Sequence, residues 1–279
     1  MTNDVQQVKP DTAFDGLSSA SNSARPPATY VELVRCSPQG SIFANRWWLD
    51  AVAAGNYEIL EIRRGGAIAA SWPLVYNIRK ATKHFCMPAM TQKLGILFAP
   101  SEGKPSEIQS RNQRLTTELL EHIGSPTTFH QNFHENFSDW LPFYWQGFSQ
   151  TTRYTYVLEN ISDPNAIWEN MRKNQRTAIR KAQKLGVRIL DDMDISEFIE
   201  LNRKTFKGQG MDPLVSDELI GRLDSACRAH AGRKIFVGVD SQGRVHAAVY
   251  VAWANDTAYY LMGGSEPAWR DSVRAPTAA

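Results

Sequence analysis

A run of regularly spaced basic side chains is the feature of this sequence that most clearly suggests chemistry. No acidic residue lies between Asn170 and Leu190, and cations recur there every fourth residue. The candidate contacts are Arg172, Arg176, Arg180, Lys181 and Lys184. Residues four apart share one face of a helix, where three like-charged pairs cost about 1 kcal/mol in total. Guanidinium groups fit phosphate and carboxylate, so the run favours an anion-binding helix. A solvated basic face, partly neutralised by the aspartates that follow, is the commoner meaning of such a pattern.

A second candidate region ends the strand predicted over 257–262. Gly263 and Gly264 would let a ligand approach the backbone closely, although an ordinary turn explains a glycine pair as well. Tyr260 is either a positioning hydroxyl or a core side chain, and packing in the core is the commoner role. Glu266 and Asp256 lie nearby but fit surface charge better, so no catalytic base is assigned.

No metal site is predicted. His130 and His134 are four residues apart, a spacing that could bind a metal on a helix. They fall in a stretch with the composition of a strand, and no cysteine or carboxylate completes a set of ligands. Structural or loop histidines explain the pair better.

Alternating helix and strand patterns predict the elements that must position these residues. In the first half we expect strands at 30–34, 57–63, 67–78, 94–99 and 127–133, and helices at 45–54 and 106–122. In the second half we expect strands at 151–158, 187–190, 234–239, 245–253 and 257–262, and helices at 164–185, 195–206 and 216–230. The fold class is therefore mixed α/β (α+β). We predict a disordered segment over 1–29 and two domains over 30–150 and 151–279.

Composition sets few limits on the partner. The net charge is +2, and hydrophobic residues make up 42% of the 279 residues, as in an ordinary globular protein. The three cysteines form no C-x-x-C pair, which is typical of a reducing compartment. No apolar run is long enough to span a bilayer and no signal pattern opens the chain. A cytoplasmic location without an integral membrane segment is the expectation.

Several segments resemble FemAB-like members of the GNAT superfamily. The main one is Thr151 to Leu190, in which a strand leads into a helix with an R-x-N-x-R-x-x-x-R-K-A pattern. Shorter similar pieces are SIFANRWWLDAV from Ser41, MPAMTQKLG from Met87, WLPFYWQGF from Trp140 and YYLMGGS from Tyr259. The resemblance implies tandem GNAT-like domains, each a mixed, mostly antiparallel sheet flanked by helices.

The resemblance also implies an activity. Proteins of this kind transfer an acyl or aminoacyl group from acyl-CoA or aminoacyl-tRNA, as a donor substrate and not a bound cofactor, to the amine of an envelope or peptidoglycan precursor. The basic helix would then contact a phosphate-bearing substrate, and Tyr260, Gly263 and Gly264 would lie at the donor site. A peripheral contact with a membrane-borne precursor is compatible with this assignment.

One departure from the family pattern leaves an alternative open. In relatives, a helix and further strands follow the glycine pair, whereas this sequence ends 14 residues after Ser265. The second domain is therefore expected to be incomplete. On that expectation, a catalytically inactive relative that binds anions or RNA is the alternative to an active transferase.

Overall fold

The computed structural model describes residues 26–254 and 256–269. The helices are α1 (Tyr30–Cys36), α2 (Arg46–Ala53), α3 (Pro105–Ile123), α4 (Leu141–Trp145), α5 (Pro164–Asn170), α6 (Lys173–Lys184), α7 (Ile195–Lys207) and α8 (Asp217–His230). The strands are β1 (Tyr57–Arg64), β2 (Ala67–Arg79), β3 (Thr82–Phe85), β4 (Leu97–Phe98), β5 (Arg188–Asp191), β6 (Gly232–Val239), β7 (Val245–Ala254) and β8 (Thr257–Ser265). None of these helices is long and apolar enough to cross a membrane.

Each half of the chain contributes one antiparallel sheet, which confirms the predicted mixed α/β class. In the first sheet β2 is central, because it pairs with β1, β3 and β4. In the second sheet the order β5-β6-β7-β8 follows the sequence. The β1–β2 hairpin turns at Gly65-Gly66, and the β6–β7 hairpin turns at residues 240–243.

The two halves share a hydrophobic core. Trp48 and Leu49 of α2 belong to the same buried cluster as Leu223 of α8 and Tyr250 of β7. The guanidinium of Arg222 also donates to the carbonyl of Ala51 at 3.2 Å. A separate cluster built on Trp72 and Phe143 lies within the first half alone. The domain boundary at residue 150 stays a prediction, and the packing joins the parts on either side of it.

The predicted strand at Tyr30 to Val34 is wrong, because this segment forms α1. The side chain of Thr29 accepts a hydrogen bond from the Glu32 backbone, and the Glu32 carboxylate accepts one from the Thr29 N–H at 3.0 Å. This capping box satisfies two N–H groups that a helix start leaves unpaired. The local cap therefore outweighs the strand preference of the valines.

Four further predicted elements differ from the structure. The long helix of residues 164–185 breaks at Met171 and Arg172, whose backbones are extended, into α5 and α6. The strand predicted over 94–99 shrinks to β4, and that over 127–133 to isolated bridges at Phe129 and Phe133. Residues 151–158 form no strand. A strand needs a neighbouring strand for its backbone hydrogen bonds, and propensity alone supplies none.

Candidate active site

A bulge in the β7–β8 pair creates the irregularity on which the candidate site is centred. Tyr250 lies opposite Met262, and the next residue, Val251, lies opposite Tyr260. Leu261 is therefore an extra residue on β8. Bulges interrupt the ladder and redirect the side chains and backbone groups next to them.

Tyr260 stands beside this bulge and is half exposed, at 50%. Its side chain leans back over Gly263, where an added Cβ would collide with the phenol oxygen. Partial burial raises the pKa of the Tyr260 hydroxyl, so the phenol stays protonated at neutral pH. The alternative of a core tyrosine is wrong, and among the described residues the Tyr260 hydroxyl has no hydrogen-bond partner.

Gly263 and Gly264 occupy different surroundings. The carbonyl of Gly263 accepts a hydrogen bond from the Asn202 side chain of α7 at 2.6 Å. A Cβ on Gly264 would lie 2.9 Å from the backbone nitrogen of Asn202 and 3.0 Å from the carbonyl carbon of Leu201. Gly264 therefore allows α7 to pack directly on β8, whereas Gly263 makes room for Tyr260.

The outer side of β8 faces a loop from the first half. Gln92 donates from its side-chain amide to the carbonyl of Tyr260 at 2.8 Å. Next to it, the Lys93 ammonium lies 2.7 Å from a carboxylate oxygen of Glu135 and 5.4 Å from the centre of the Tyr259 ring. Sequence reasoning missed these loop residues, because nothing in the spacing of Gln92 and Lys93 indicates that they meet a strand about 170 residues later.

The charges around this loop are mutually satisfied. Burial disfavours the ionised form of Glu135, but the hydrogen bonds from Lys93 and the backbone, together with the nearby charges of His134 and Lys93, outweigh it and lower the pKa of the carboxyl. Burial, then the nearby Lys93, lowers the pKa of His134, whose Nδ1 accepts from the Asn136 N–H at 3.1 Å. Burial, with Glu135 and Asp256 nearby, raises the pKa of Tyr259 to about 12. These groups shape the wall of the site, and none is positioned as a free general base.

The basic helix lies elsewhere. α6 leads into β5, which is the opposite edge of the second sheet from β8. Three strand spacings, about 14 Å, separate those two edges. Arg176 donates to the carbonyl of Glu169 at 3.0 Å, and Arg180 stacks 5.3 Å from the ring centre of Trp168, so both arginines fold α6 back on α5. No hydrogen bond or ion pair among the described residues joins α6 to Tyr260 or to the glycine pair.

The remaining cations of the candidate set are exposed. Arg172 begins α6 as its N-cap residue, and Lys181 and Lys184 lie in its last turn. Of the two histidines considered as metal ligands, His134 is buried and His130 is exposed. Within residues 26–254 and 256–269, no three histidine, cysteine or carboxylate side chains come together as a metal-binding group.

Comparison with known proteins identifies the class of fold. Residues 169–275 match the family model of an acetyltransferase (GNAT) domain. This range contains the bulged β7–β8 pair and α7. The match confirms, for these residues, the GNAT part of the resemblance inferred from the sequence.

One solved structure extends the likeness to most of the chain. The crystal structure of FemX superposes with a TM-score of 0.59 at 11% sequence identity, covering 86% of this chain and 79% of FemX. A search among curated proteins gives no significant match. The likeness to FemX therefore establishes a shared fold over both halves.

Proposed function

We propose that this protein is an N-acyltransferase that moves an acyl or aminoacyl group from acyl-CoA or aminoacyl-tRNA to an amine. The observation that carries the proposal is the bulged, half-open strand β8 inside the segment that matches the GNAT acetyltransferase domain. From the resemblance to FemAB-like proteins, we infer that the acceptor is an amine of an envelope or peptidoglycan precursor.

The geometry supports catalysis by alignment. Among the described strands, β8 pairs with β7 only, so its other edge presents backbone N–H and C=O groups to a ligand. An extended donor carrying amide groups would form hydrogen bonds along that edge in place of the Gln92 side chain. Holding donor and amine in reactive geometry lowers the barrier by removing the need for a random encounter.

The transfer requires two proton movements, one away from the attacking nitrogen and one to the leaving group, and Tyr260 can assist the second. The amine nitrogen attacks the donor carbonyl, a C–N bond forms, and the thioester C–S or ester C–O bond breaks. The nitrogen loses a proton to solvent, and the leaving sulfur or oxygen gains one. A phenol whose pKa is raised stays protonated and can donate to the leaving group or to the oxyanion.

Tyr260→Phe tests this role. We expect donor affinity to change little and kcat to fall about 10- to 100-fold, because proton donation acts mainly in the transition state. The measurement is product formation from each donor with an amine-bearing peptidoglycan precursor, followed by mass spectrometry. Tyr144→Phe is the matched control, since Tyr144 is also exposed but lies in the first half.

Two results would contradict the proposal. One is the absence of binding and product with both donor classes. The other is salt-sensitive binding of RNA or anions without turnover, which would identify an inactive binding relative. If Tyr260→Phe and Tyr144→Phe turn over equally, the transferase proposal stands but Tyr260 has no part in the chemistry.

A further inference from the structure

Residues 144–197 contain no buried side chain, although they include many large apolar residues of the kind that normally pack in a core. Ten large apolar residues in this stretch are exposed: Tyr144, Trp145, Tyr154, Tyr156, Val157, Leu158, Ile161, Leu185, Ile189 and Leu190. Tyr154 and Tyr156 are exposed to 93% and 90%. Five of these residues fall within residues 154–161, and exposed apolar side chains gathered in this way mark an interaction site in a folded protein.

Cations accompany this apolar surface. Lys173, Lys181 and Lys184 of α6 are exposed, and among the described residues none has a carboxylate within ion-pair distance. Arg188 of β5 is exposed beside Ile189, and both faces of that strand are uncovered. The exposed side chains of residues 151–190, here called the α6 surface, therefore include both cations and large apolar groups.

We propose that the α6 surface docks the protein on an anionic lipid bilayer. An amphipathic helix with a lysine- and arginine-rich face binds in the headgroup region, where apolar side chains enter the acyl boundary and cations pair with lipid phosphates. Tyrosine suits that depth because its ring is apolar and its hydroxyl is polar.

The aliphatic residues favour lipid over nucleic acid. RNA binds cations through its phosphates and stacks its bases on aromatic rings, but it has no apolar phase into which Val157, Leu158 and Ile189 could be buried. A bilayer accommodates all three kinds of side chain on one surface. Since α6 joins the β5 edge, docking there leaves the β8 edge of the same sheet open, and the docking does not depend on the proposed transferase activity.

Flotation with lipid vesicles tests the proposal on the full chain. We expect binding to vesicles of phosphatidylcholine mixed with phosphatidylglycerol, and much weaker binding to phosphatidylcholine alone. Replacing Lys173, Lys181 and Lys184 with Gln should lower the partition coefficient on the order of 100-fold, since each cation near an anionic surface contributes roughly 5-fold. Raising the ionic strength should weaken the wild-type binding in the same direction.

Control variants separate this effect from net charge and folding. Lys80, Arg114 and Lys207 are exposed cations outside the α6 surface, and their triple replacement by Gln should leave partition unchanged. Replacing Tyr156 and Leu158 with Ser should weaken partition while keeping its salt dependence. Melting curves and circular dichroism of every variant show whether it is folded.

Three outcomes would overturn the proposal. The first is no preference for anionic vesicles. The second is an equal loss of vesicle binding in the triple variant of the α6 surface and in the control triple variant at Lys80, Arg114 and Lys207. The third is that the α6 surface binds something other than lipid. RNA that displaces the protein from vesicles through the same lysines would show this. A stable dimer in light scattering that dissociates when Tyr156 and Leu158 are replaced would show it as well.

Discussion

At the scale of single residues, two adjacent glycines perform separate tasks. Gly263 leaves space for the phenol of Tyr260, a flexible side-chain end that can move aside. Gly264 faces the backbone of α7 at Asn202 and Leu201, which cannot move without shifting the helix. A substitution at the first glycine should therefore change the site, and one at the second should change the fold.

Gly264→Ala is expected to destabilise the protein. The added Cβ would lie 2.9 Å from the Asn202 nitrogen, so α7 must separate from β8, at a cost of about 1–3 kcal/mol in the free energy of unfolding. Urea unfolding followed by circular dichroism measures it. Gly221→Ala in α8 is the control, because a Cβ there meets no atom within 4 Å. Equal stability of the Gly264 variant and the wild type would contradict close packing of α7 on β8.

At the scale of an element, the β6–β7 hairpin depends on one buried carboxylate. Asp240 accepts hydrogen bonds from the backbone N–H groups of Gln242 and Arg244 at 2.9 and 3.0 Å, and lies 3.1 Å from the His246 ring. Burial opposes its ionisation, but the hydrogen bonds from His246, Arg244 and the backbone outweigh it and hold the pKa of Asp240 well below its usual range. The ionised carboxylate thus fixes the turn.

This depressed pKa predicts an acid-sensitive hairpin. An unfolded aspartate titrates near pH 4, so the stabilisation from Asp240 is complete above that pH and declines as the pH falls towards the lower folded value. Asp240→Asn should therefore lower the melting temperature most at neutral pH, and the difference from wild type should shrink below about pH 4. Thermal melts between neutral and acidic pH measure this.

The exposed Asp212→Asn provides the control for that series. It should melt like the wild type across the range. A difference between Asp240→Asn and wild type that stays constant down to the lowest pH would show that the carboxylate acts by shape and not by its charge.

At the scale of the whole molecule, one core couples the halves. Trp48 of α2 and Tyr250 of β7 are fully buried in the same cluster, and the Trp47 ring stacks on His230 of α8 with 5.6 Å between ring centres. Stabilising the second sheet therefore also stabilises α2. The same core holds the loop that carries Gln92 against β8, because Leu94 belongs to this cluster and Met90 packs against it.

Leu223→Ala tests this coupling. Leu223 is fully buried in the shared cluster, so its truncation should cost about 2–5 kcal/mol. Amide hydrogen exchange should accelerate in α2 as well as in the second sheet. Leu119→Ala in the cluster of the first half is the control and should leave exchange in β6–β8 unchanged. Acceleration confined to the second half in the Leu223 variant would show that the halves unfold independently.

Local sequence patterns determined much of the second half. Its last two helices and the strands β6, β7 and β8 lie close to where periodicity and turn residues place them. Asp163 caps α5, because its carboxylate accepts from the next two N–H groups at 3.0 and 3.1 Å. These features depend on near neighbours in the chain, which the sequence shows directly.

The sequence by itself also indicated a GNAT-type domain in the second half and the presence of a cationic helix. Only the tertiary structure decided that α6 and the glycine pair lie at opposite edges of one sheet, and that Gln92 reaches Tyr260. It also decided that residues 151–158 pair with none of the described strands. Each of these depends on contacts between distant parts of the chain. Helical periodicity and caps are encoded within a few residues, whereas pairing partners and sheet edges are set by which surfaces remain available after the whole chain has packed.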